Sequence, residues 1–253
     1  MKEFLKKIKV KIRDITENHG FVCDACGGEV FSYPRERLCA DCEKSMRKIE
    51  SNACPKCGRE LQSKGVCLTC KSSMPKFTKG IAPVVYRGET AALVNRVKNG
   101  APRLARYFGE NMARAFAREF PDYAKEGNAL LLVPVPLTQE KYRLRGYNQS
   151  ERLAQAVQEE LERLGFTAET DAEILQKVKD SSEQKHMGKA ERAANVAGAY
   201  HVHKRKACQG RRILLIDDIM TTGATGSECA ARLLGAGAKE VYLLAAAAVP
   251  EGK

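Results

Sequence analysis

Residues 213–225 read Ile-Leu-Leu-Ile-Asp-Asp-Ile-Met-Thr-Thr-Gly-Ala-Thr, and this stretch decides the fold. The apolar run Ile213–Ile216 is short enough for a central parallel strand, which is buried on both faces. The turn that follows it carries hydroxyl groups and a glycine and opens a helix, whose first backbone N–H groups stabilise a phosphate dianion. The pattern therefore predicts a sugar-phosphate site. Its predicted binding residues are Asp217, Asp218, Thr221, Thr222, Gly223, Ala224 and Thr225.

The two adjacent acids, Asp217 and Asp218, point to opposite sides of the strand because side chains alternate along it. One carboxylate is free to accept from ribose hydroxyls, while its neighbour engages the other hydroxyl, a metal shell or the backbone. An ordinary strand-turn-helix is the alternative interpretation. The whole pattern resembles the signature of the type I phosphoribosyltransferases, and this resemblance implies binding of 5-phosphoribosyl-1-pyrophosphate (PRPP) together with Mg²⁺.

Length and hydropathy bound the class of protein. The 253 residues permit one large or two smaller domains. The longest apolar stretch, residues 241–249, is about half of what a bilayer requires. The N-terminus lacks the apolar segment of a signal peptide. We therefore expect a globular cytoplasmic protein with no membrane span.

Positive charge is concentrated in the N-terminal part of the chain. Residues 1–80 carry 17 basic and 10 acidic groups, whereas residues 81–253 carry 26 and 21. Such a bias attracts nucleic acid, phosphorylated ligands or acidic partners, although a solvated basic face is the commoner explanation. Part of the excess lies in a predicted basic amphipathic helix over Met1–Ile15, which we expect to pack against the cysteine-rich segment.

Eight of the ten cysteines form four Cys-x-x-Cys pairs. Each pair offers two thiolates from one tight turn, and a tetrahedral Zn²⁺ site needs two pairs. Sequential pairing is favoured, and an interleaved arrangement stays open. Disulfides are disfavoured in a reducing cytosol, and Gly27 and Gly58 suit turns with positive φ. The predicted zinc ligands are Cys23, Cys26, Cys39 and Cys42 in one ribbon and Cys54, Cys57, Cys67 and Cys70 in the other.

The chain is predicted to have three segments. Residues 1–20 form the basic helix, residues 21–77 form a double zinc ribbon, and residues 78–253 form an α/β domain. The last segment alternates strands with helices, which predicts a mainly parallel sheet with helices on both faces. Ligands of such sheets bind at the carboxyl ends of the strands.

The segment that follows the predicted strand 129–135 suits a pyrophosphate group. Its prolines stiffen a turn, and its basic residues supply cations that a closing loop brings to a departing pyrophosphate. The predicted residues are Pro134, Val135 and Pro136 in the turn and Lys141, Arg143 and Arg145 as catalytic cations.

Four blocks of the chain lie at residues 134–136, 145–149, 192–196 and 217–225. Together with the eight cysteines, they resemble the ComF family of bacterial competence proteins, relatives of GntX. The resemblance implies a double zinc ribbon fused to a type I phosphoribosyltransferase domain, with a role in DNA uptake or nucleotide metabolism. It also implies PRPP as a ligand.

Two functions fit these patterns. The first is a Mg²⁺-dependent phosphoribosyltransferase. The second is a non-catalytic module that senses PRPP or binds single-stranded DNA, or docks on a helicase or pore protein of the DNA-uptake machinery. The acceptor and the turnover stay open. Lys98 and Gln184 are possible site residues. Arg192 and Asn195 belong to one of the four blocks, and a structural network at a helix terminus is the alternative interpretation of both.

Overall fold

The computed structural model describes residues 22–30, 37–50, 52–99, 101, 103–124, 127, 129–178 and 198–252. It divides into two compact units, Met1–Ser45 and Met46–Lys253. The predicted helix over Met1–Ile15 lies outside the described residues, as do Gln184, Arg192 and Asn195. None of the helices in the described ranges combines the length and the apolar character that crossing a bilayer demands. The cytoplasmic location stays a prediction.

The second unit is built on a six-stranded sheet in which every strand pair is parallel. The strands in the described part of the chain are β1 (Lys79–Ile81), β2 (Val84–Val85), β3 (Leu130–Pro134), β4 (Ala168–Thr170), β5 (Leu175–Lys177), β6 (Tyr200–Val202), β7 (Arg212–Met220) and β8 (Glu240–Ala248). The sheet order is β1-β8-β7-β3-β4, and β2 also pairs with β8. Strands β5 and β6 form a separate antiparallel pair.

Strand β7 lies at the centre of the sheet, between β3 and β8. Its residues Ile213–Ile216 have no solvent-exposed surface. A strand with neighbours on both edges and helices on both faces has no polar side, which is why its sequence is continuously apolar. The prediction of a mainly parallel α/β domain with this stretch as a central strand is confirmed.

Helices cover the sheet on both faces. The helices of the second unit in the described residues are α2 (Leu68–Ser72), α3 (Gly88–Lys98), α4 (Leu104–Glu119), α5 (Gln139–Arg145), α6 (Gln149–Arg163), α7 (Arg205–Cys208) and α8 (Ala224–Gly235), with a 3₁₀ turn at Pro121–Ala124; the first unit contains α1 (Ala40–Ser45). On one face, the ring of Phe116 in α4 lies 5.9 Å from that of Tyr242 in β8. On the other face, a Cβ atom at Gly226 of α8 would come within 2.6 Å of Leu243. The alternation of Tyr242 and Leu243 therefore divides the core into two layers.

In each of the two ribbons, the first Cys-x-x-Cys pair lies in a short hairpin-like turn. Antiparallel bridges join Val22 to Glu29 in the first unit and Ala53 to Glu60 in the second. The turns contain Gly27 with φ +78° and Gly58 with φ +74°. A residue with a side chain is strained at such φ values, so the predicted need for glycine at both positions is confirmed.

The second ribbon packs directly against the outer edge of β1. The N–H of Gly80 donates to the carbonyl of Lys56 at 2.8 Å. A Cβ atom on Gly58 would lie 2.4 Å from the Gly80 carbonyl oxygen, and one on Gly80 would lie 2.6 Å from that of Cys57. The two backbones therefore touch without a side chain between them, and this ribbon forms part of the second unit. The domain boundary after residue 77 stays a prediction.

Candidate functional site

The turn between β7 and α8 has the backbone of an anion site. Gly223 caps the helix with φ +81° and ψ +3°, a left-handed conformation. The N–H of Ala224 donates to Thr222 Oγ1 at 3.3 Å. The first intrahelical bond runs from Ser227 N to Gly223 O at 2.8 Å. The first N–H groups of a helix have no acceptor within the helix and favour negative charge, so the turn can hold a phosphate.

Two carboxyl groups lie on β7 just before this turn. Asp217 is partly buried and Asp218 is 6% exposed. Asp217 Oδ1 accepts a hydrogen bond from the backbone N–H of Asp218 at 2.9 Å. Burial first, and the charge of Asp218 second, raise the pKa of the Asp217 carboxyl to about 8. The Asp217 carboxyl therefore titrates at a higher pH than an ordinary carboxyl does.

Lys98, at the end of α3, approaches the second of these acids. Its Nζ atom lies 3.1 Å from Asp218 Oδ2. That contact lies outside hydrogen-bond geometry, so this buried oxygen accepts no hydrogen bond from the described residues. An oxygen of this kind is costly to bury and gains from a ligand hydroxyl. The structure thus brings Lys98, which the sequence left as a possible site residue, to the acidic pair.

The turn with two prolines lies beside the acids. Pro134 ends β3 and pairs with Ile216, and the N–H of Val135 donates to the Ile216 carbonyl at 2.9 Å. The buried side chain of Asn148 donates to the carbonyl of Val135 at 3.1 Å and accepts from the N–H of Ser150 at 3.0 Å. Asn148 therefore fixes the turn and caps α6 at once, a role that the sequence did not reveal.

The three predicted cations lie on a short helix, α5, where the sequence predicted a loop. Thr138 caps its start by accepting from Lys141 N at 3.4 Å, and Gly146 ends it with φ +79°. These two caps explain why the basic stretch is helical. Arg145 donates to Gln149 Oε1 at 3.0 Å, and Arg143 is exposed. The catalytic role of the three cations stays a prediction.

The turn at residues 221–225, between β7 and α8, is called the phosphate turn below. A cavity of about 850 Å³ lies between the second ribbon and this turn. The helix α2 contributes one wall, and the start of α8 contributes the other. Its lining includes Leu68, Lys71 and Ser72 from the ribbon and Thr222, Gly223 and Ser227 from the turn and helix. This volume is typical of small-molecule sites in proteins.

The eight paired cysteines form two clusters with the sequential grouping. Within each cluster all four sulfur atoms lie within 4.8 Å of one another. A tetrahedral zinc site with Zn–S bonds of about 2.3 Å has sulfur atoms about 3.8 Å apart. The Sγ atoms of Cys26 and Cys39 are 3.7 Å apart, as are those of Cys57 and Cys67. The donor set and its spacing therefore fit two zinc sites of four cysteines each, one in each unit.

The second cluster is completely buried and is surrounded by hydrogen-bond donors. The N–H of Cys67 donates to Cys54 Sγ at 3.4 Å, and that of Cys70 donates to Cys67 Sγ at 3.3 Å. Arg59 Nε donates to Cys57 Sγ at 3.3 Å. Donors directed at sulfur stabilise thiolates, the form that zinc requires. No signal in the sequence marked Arg59, because an arginine after a cysteine pair has no characteristic spacing.

Comparison with known proteins agrees with this architecture. Residues 13–71 match the model of the double zinc ribbon domain. The competence protein ComFC of Bacillus subtilis is 26% identical over 199 residues, which cover 76% of this chain and 75% of the relative. Competence protein F of Haemophilus influenzae is 27% identical over 229 residues, which cover 88% and 95%.

Among solved structures, a hypoxanthine phosphoribosyltransferase from Staphylococcus aureus matches with a TM-score of 0.35 and 11% identity, over 58% of this chain and 75% of that one. The sequence relatives cover most of the chain, from the zinc ribbon into the α/β domain. The chain is therefore a homologue of the ComF-type competence proteins, with a double zinc ribbon domain over residues 13–71.

Proposed function

We propose that the chain binds PRPP with Mg²⁺ at the carboxyl end of β7. One observation carries this proposal. Two adjacent acids near the end of the central parallel strand are followed by a helix N-terminus with a left-handed glycine cap. In this arrangement Asp217 and Asp218 accept from the ribose hydroxyls, and the turn Thr221–Thr225 receives the 5-phosphate.

The charges of the site support a ligand that carries both hydroxyls and a cation. Asp218 Oδ2 is buried without a hydrogen-bond donor among the described residues, and the pKa of Asp217 is raised. Ribose hydroxyls supply the missing donors. Mg²⁺, if bound together with PRPP, would supply positive charge that neutralises the pyrophosphate oxygens.

Phosphoribosyl transfer is the reaction that this site would support. In that reaction the bond between the ribose C1 and pyrophosphate breaks, its electron pair goes to the leaving pyrophosphate as negative charge, and C1 forms a new bond to the nucleophilic atom of the acceptor. Lys141, Arg143 and Arg145 follow the turn after β3, and we assign to them the stabilisation of that charge. The turn Pro134–Pro136, held by Asn148, forms the adjoining wall.

We propose a role in DNA uptake for the chain, because two of its relatives bear the names of competence proteins. A second candidate function is a non-catalytic accessory module that senses PRPP and contacts single-stranded DNA or a helicase or pore protein of the uptake machinery. The observation that favours it is the excess of seven positive charges within residues 1–80.

Calorimetry of the full chain with PRPP and Mg²⁺ tests the binding site. The variant Glu240→Gln serves as a control, because it removes a carboxylate at the end of the β7–β8 pair that lies opposite the proposed site. There Glu240 contacts Arg212 at 2.8 Å. Wild type and the control should bind PRPP alike. No detectable heat from the wild-type protein would refute the proposal. A pyrophosphate-release assay across nucleobases and amines then separates a transferase from a sensor, because a sensor binds PRPP without releasing pyrophosphate.

A further inference from the structure

One buried arginine connects the second cysteine cluster to the phosphate turn. Arg59 is 5% exposed. Its Nε atom donates to Cys57 Sγ at 3.3 Å, and its Nη2 atom donates to the carbonyl oxygen of Thr221 at 2.6 Å. Cys57 belongs to the second cysteine cluster, and Thr221 is the first residue of the phosphate turn. A single planar guanidinium group therefore contacts both sites.

The contact with Thr221 determines how the turn presents its N–H groups. In a trans peptide the C=O and N–H bonds point in opposite directions. When Arg59 holds the Thr221 carbonyl, the N–H of Thr222 must point away from the ribbon. The next residues depend on the same peptide, because Thr222 Oγ1 accepts from Ala224 N and Gly223 has a left-handed backbone. The direction of the anion-binding groups thus follows from the Arg59 contact.

The contact with Cys57 depends on the state of the cysteine cluster. Metal binding requires deprotonated cysteine, so a filled site presents thiolate to Arg59, whereas an empty site presents thiol. A guanidinium that faces a thiolate forms an ion pair as well as a hydrogen bond, whereas one that faces a neutral thiol forms the hydrogen bond alone. Zinc in this cluster therefore fixes the position of Arg59 more firmly than the thiols alone.

Further contacts hold the segment after the ribbon against the same turn. The N–H of Lys76 donates to Ser227 Oγ at 3.0 Å. Phe77 is fully buried, and its ring lies 3.7 Å from the position of a Cβ atom on Gly223. The ribbon and its linker therefore support the phosphate turn along its length, and Arg59 is the part of this support that contacts the metal cluster.

We propose that Arg59 is a positioning residue through which zinc in the second cluster controls the phosphate turn. With zinc bound, Arg59 holds the Thr221 carbonyl and the turn is ready for the phosphate. Without zinc, Arg59 is held less firmly and PRPP binds more weakly. This inference rests on the proposed function, since it concerns the same turn.

The first test compares three variants of the full chain by calorimetry with PRPP and Mg²⁺, together with zinc content and melting temperature. Arg59→Met should keep two zinc ions and weaken PRPP binding by about tenfold or more, since a charge-assisted hydrogen bond is lost. Arg59→Lys should be intermediate, because an ammonium group cannot span both acceptors as a fork. The control Arg47→Met removes a neighbouring arginine that contacts Glu60 at 2.9 Å, and it should bind as wild type does.

Different outcomes separate the inference from the function on which it rests. If wild type fails to bind PRPP, the proposed function fails and the inference fails with it. If wild type binds and Arg59→Met binds equally well with both zinc ions present, only the inference is overturned.

A spectroscopic test does not depend on how Arg59→Met folds. Cobalt(II) in place of zinc gives absorption bands that report on the thiolate ligands. Arg59 contacts Cys57 Sγ and the Thr221 carbonyl at once, so a ligand at the turn changes the hydrogen bond at this thiolate. PRPP should therefore shift these bands in the wild-type protein, and less in Arg59→Lys. Unchanged cobalt bands in wild-type protein saturated with PRPP would overturn the coupling.

Discussion

Replacement of Asp217 by asparagine should stabilise the fold while it weakens ligand binding. Burial and the charge of Asp218 raise the pKa of this carboxyl to about 8 from an ordinary value of 3.8. Between about pH 4 and pH 8 the unfolded chain has released a proton that the folded chain retains. The free energy of unfolding therefore falls as the pH rises through this window. With about 1.4 kcal/mol for each pH unit, the cost at pH 7 is on the order of 4 kcal/mol.

Melting of wild type and Asp217→Asn at pH 5 and pH 7 checks this reasoning. Asparagine can still accept from the Asp218 N–H but has no charge to bury. Its advantage should be about 2 kcal/mol at pH 5 and about 4 kcal/mol at pH 7, or roughly 10 °C at the higher pH. The two proteins are compared at the same pH, so the protonation of the cysteines contributes equally to both melting temperatures. If the two proteins melt together at both pH values, the carboxyl carries no such cost and the reasoning is refuted.

Three further predictions concern the ligands. The double variant Asp217→Asn with Asp218→Asn should stay folded and lose PRPP binding by on the order of 3–6 kcal/mol in calorimetry, and unchanged affinity would remove the ribose assignment. Metal analysis should find about two Zn²⁺ per chain under reducing conditions, and a stoichiometry near zero would contradict this. Chelation should unfold the ribbons, because structural zinc contributes roughly 10 kcal/mol or more to the free energy of folding. Single-stranded DNA should bind weakly. Replacement of Lys6, Lys7 and Lys9 by glutamine should reduce the slope of log affinity against log salt concentration by about 0.7 per charge removed. An equal slope would place the DNA contact elsewhere.

The sequence revealed those parts of the molecule whose structure depends on residues close together in the chain. A central strand, a phosphate turn and a cysteine knuckle each need particular residue types at fixed short spacings. Ile213–Ile216 showed the buried strand because every residue in it had to be apolar. The cysteine pairs showed the metal clusters because one turn brings two sulfur atoms together.

The parts that the sequence did not reveal depend on contacts between distant residues. Arg59 lies 162 positions from Thr221, and no periodic pattern records such a contact. Asn148 acts through the carbonyl of Val135, a backbone group that every residue carries. The helical form of α5 escaped prediction because its seven residues are too few to show a periodic apolar face, so its two caps decide the structure.

The contact between Gly58 and Gly80 has a consequence for dissecting the chain. Strand β1 ends the sheet order, and the carbonyl of Lys56 takes up the outward N–H of Gly80. The ribbon therefore acts as a cover for a sheet edge that would otherwise be open to other strands. A fragment that starts at residue 78 would expose this edge and invite self-association through strand addition, so the ribbon protects solubility as well as holding metal.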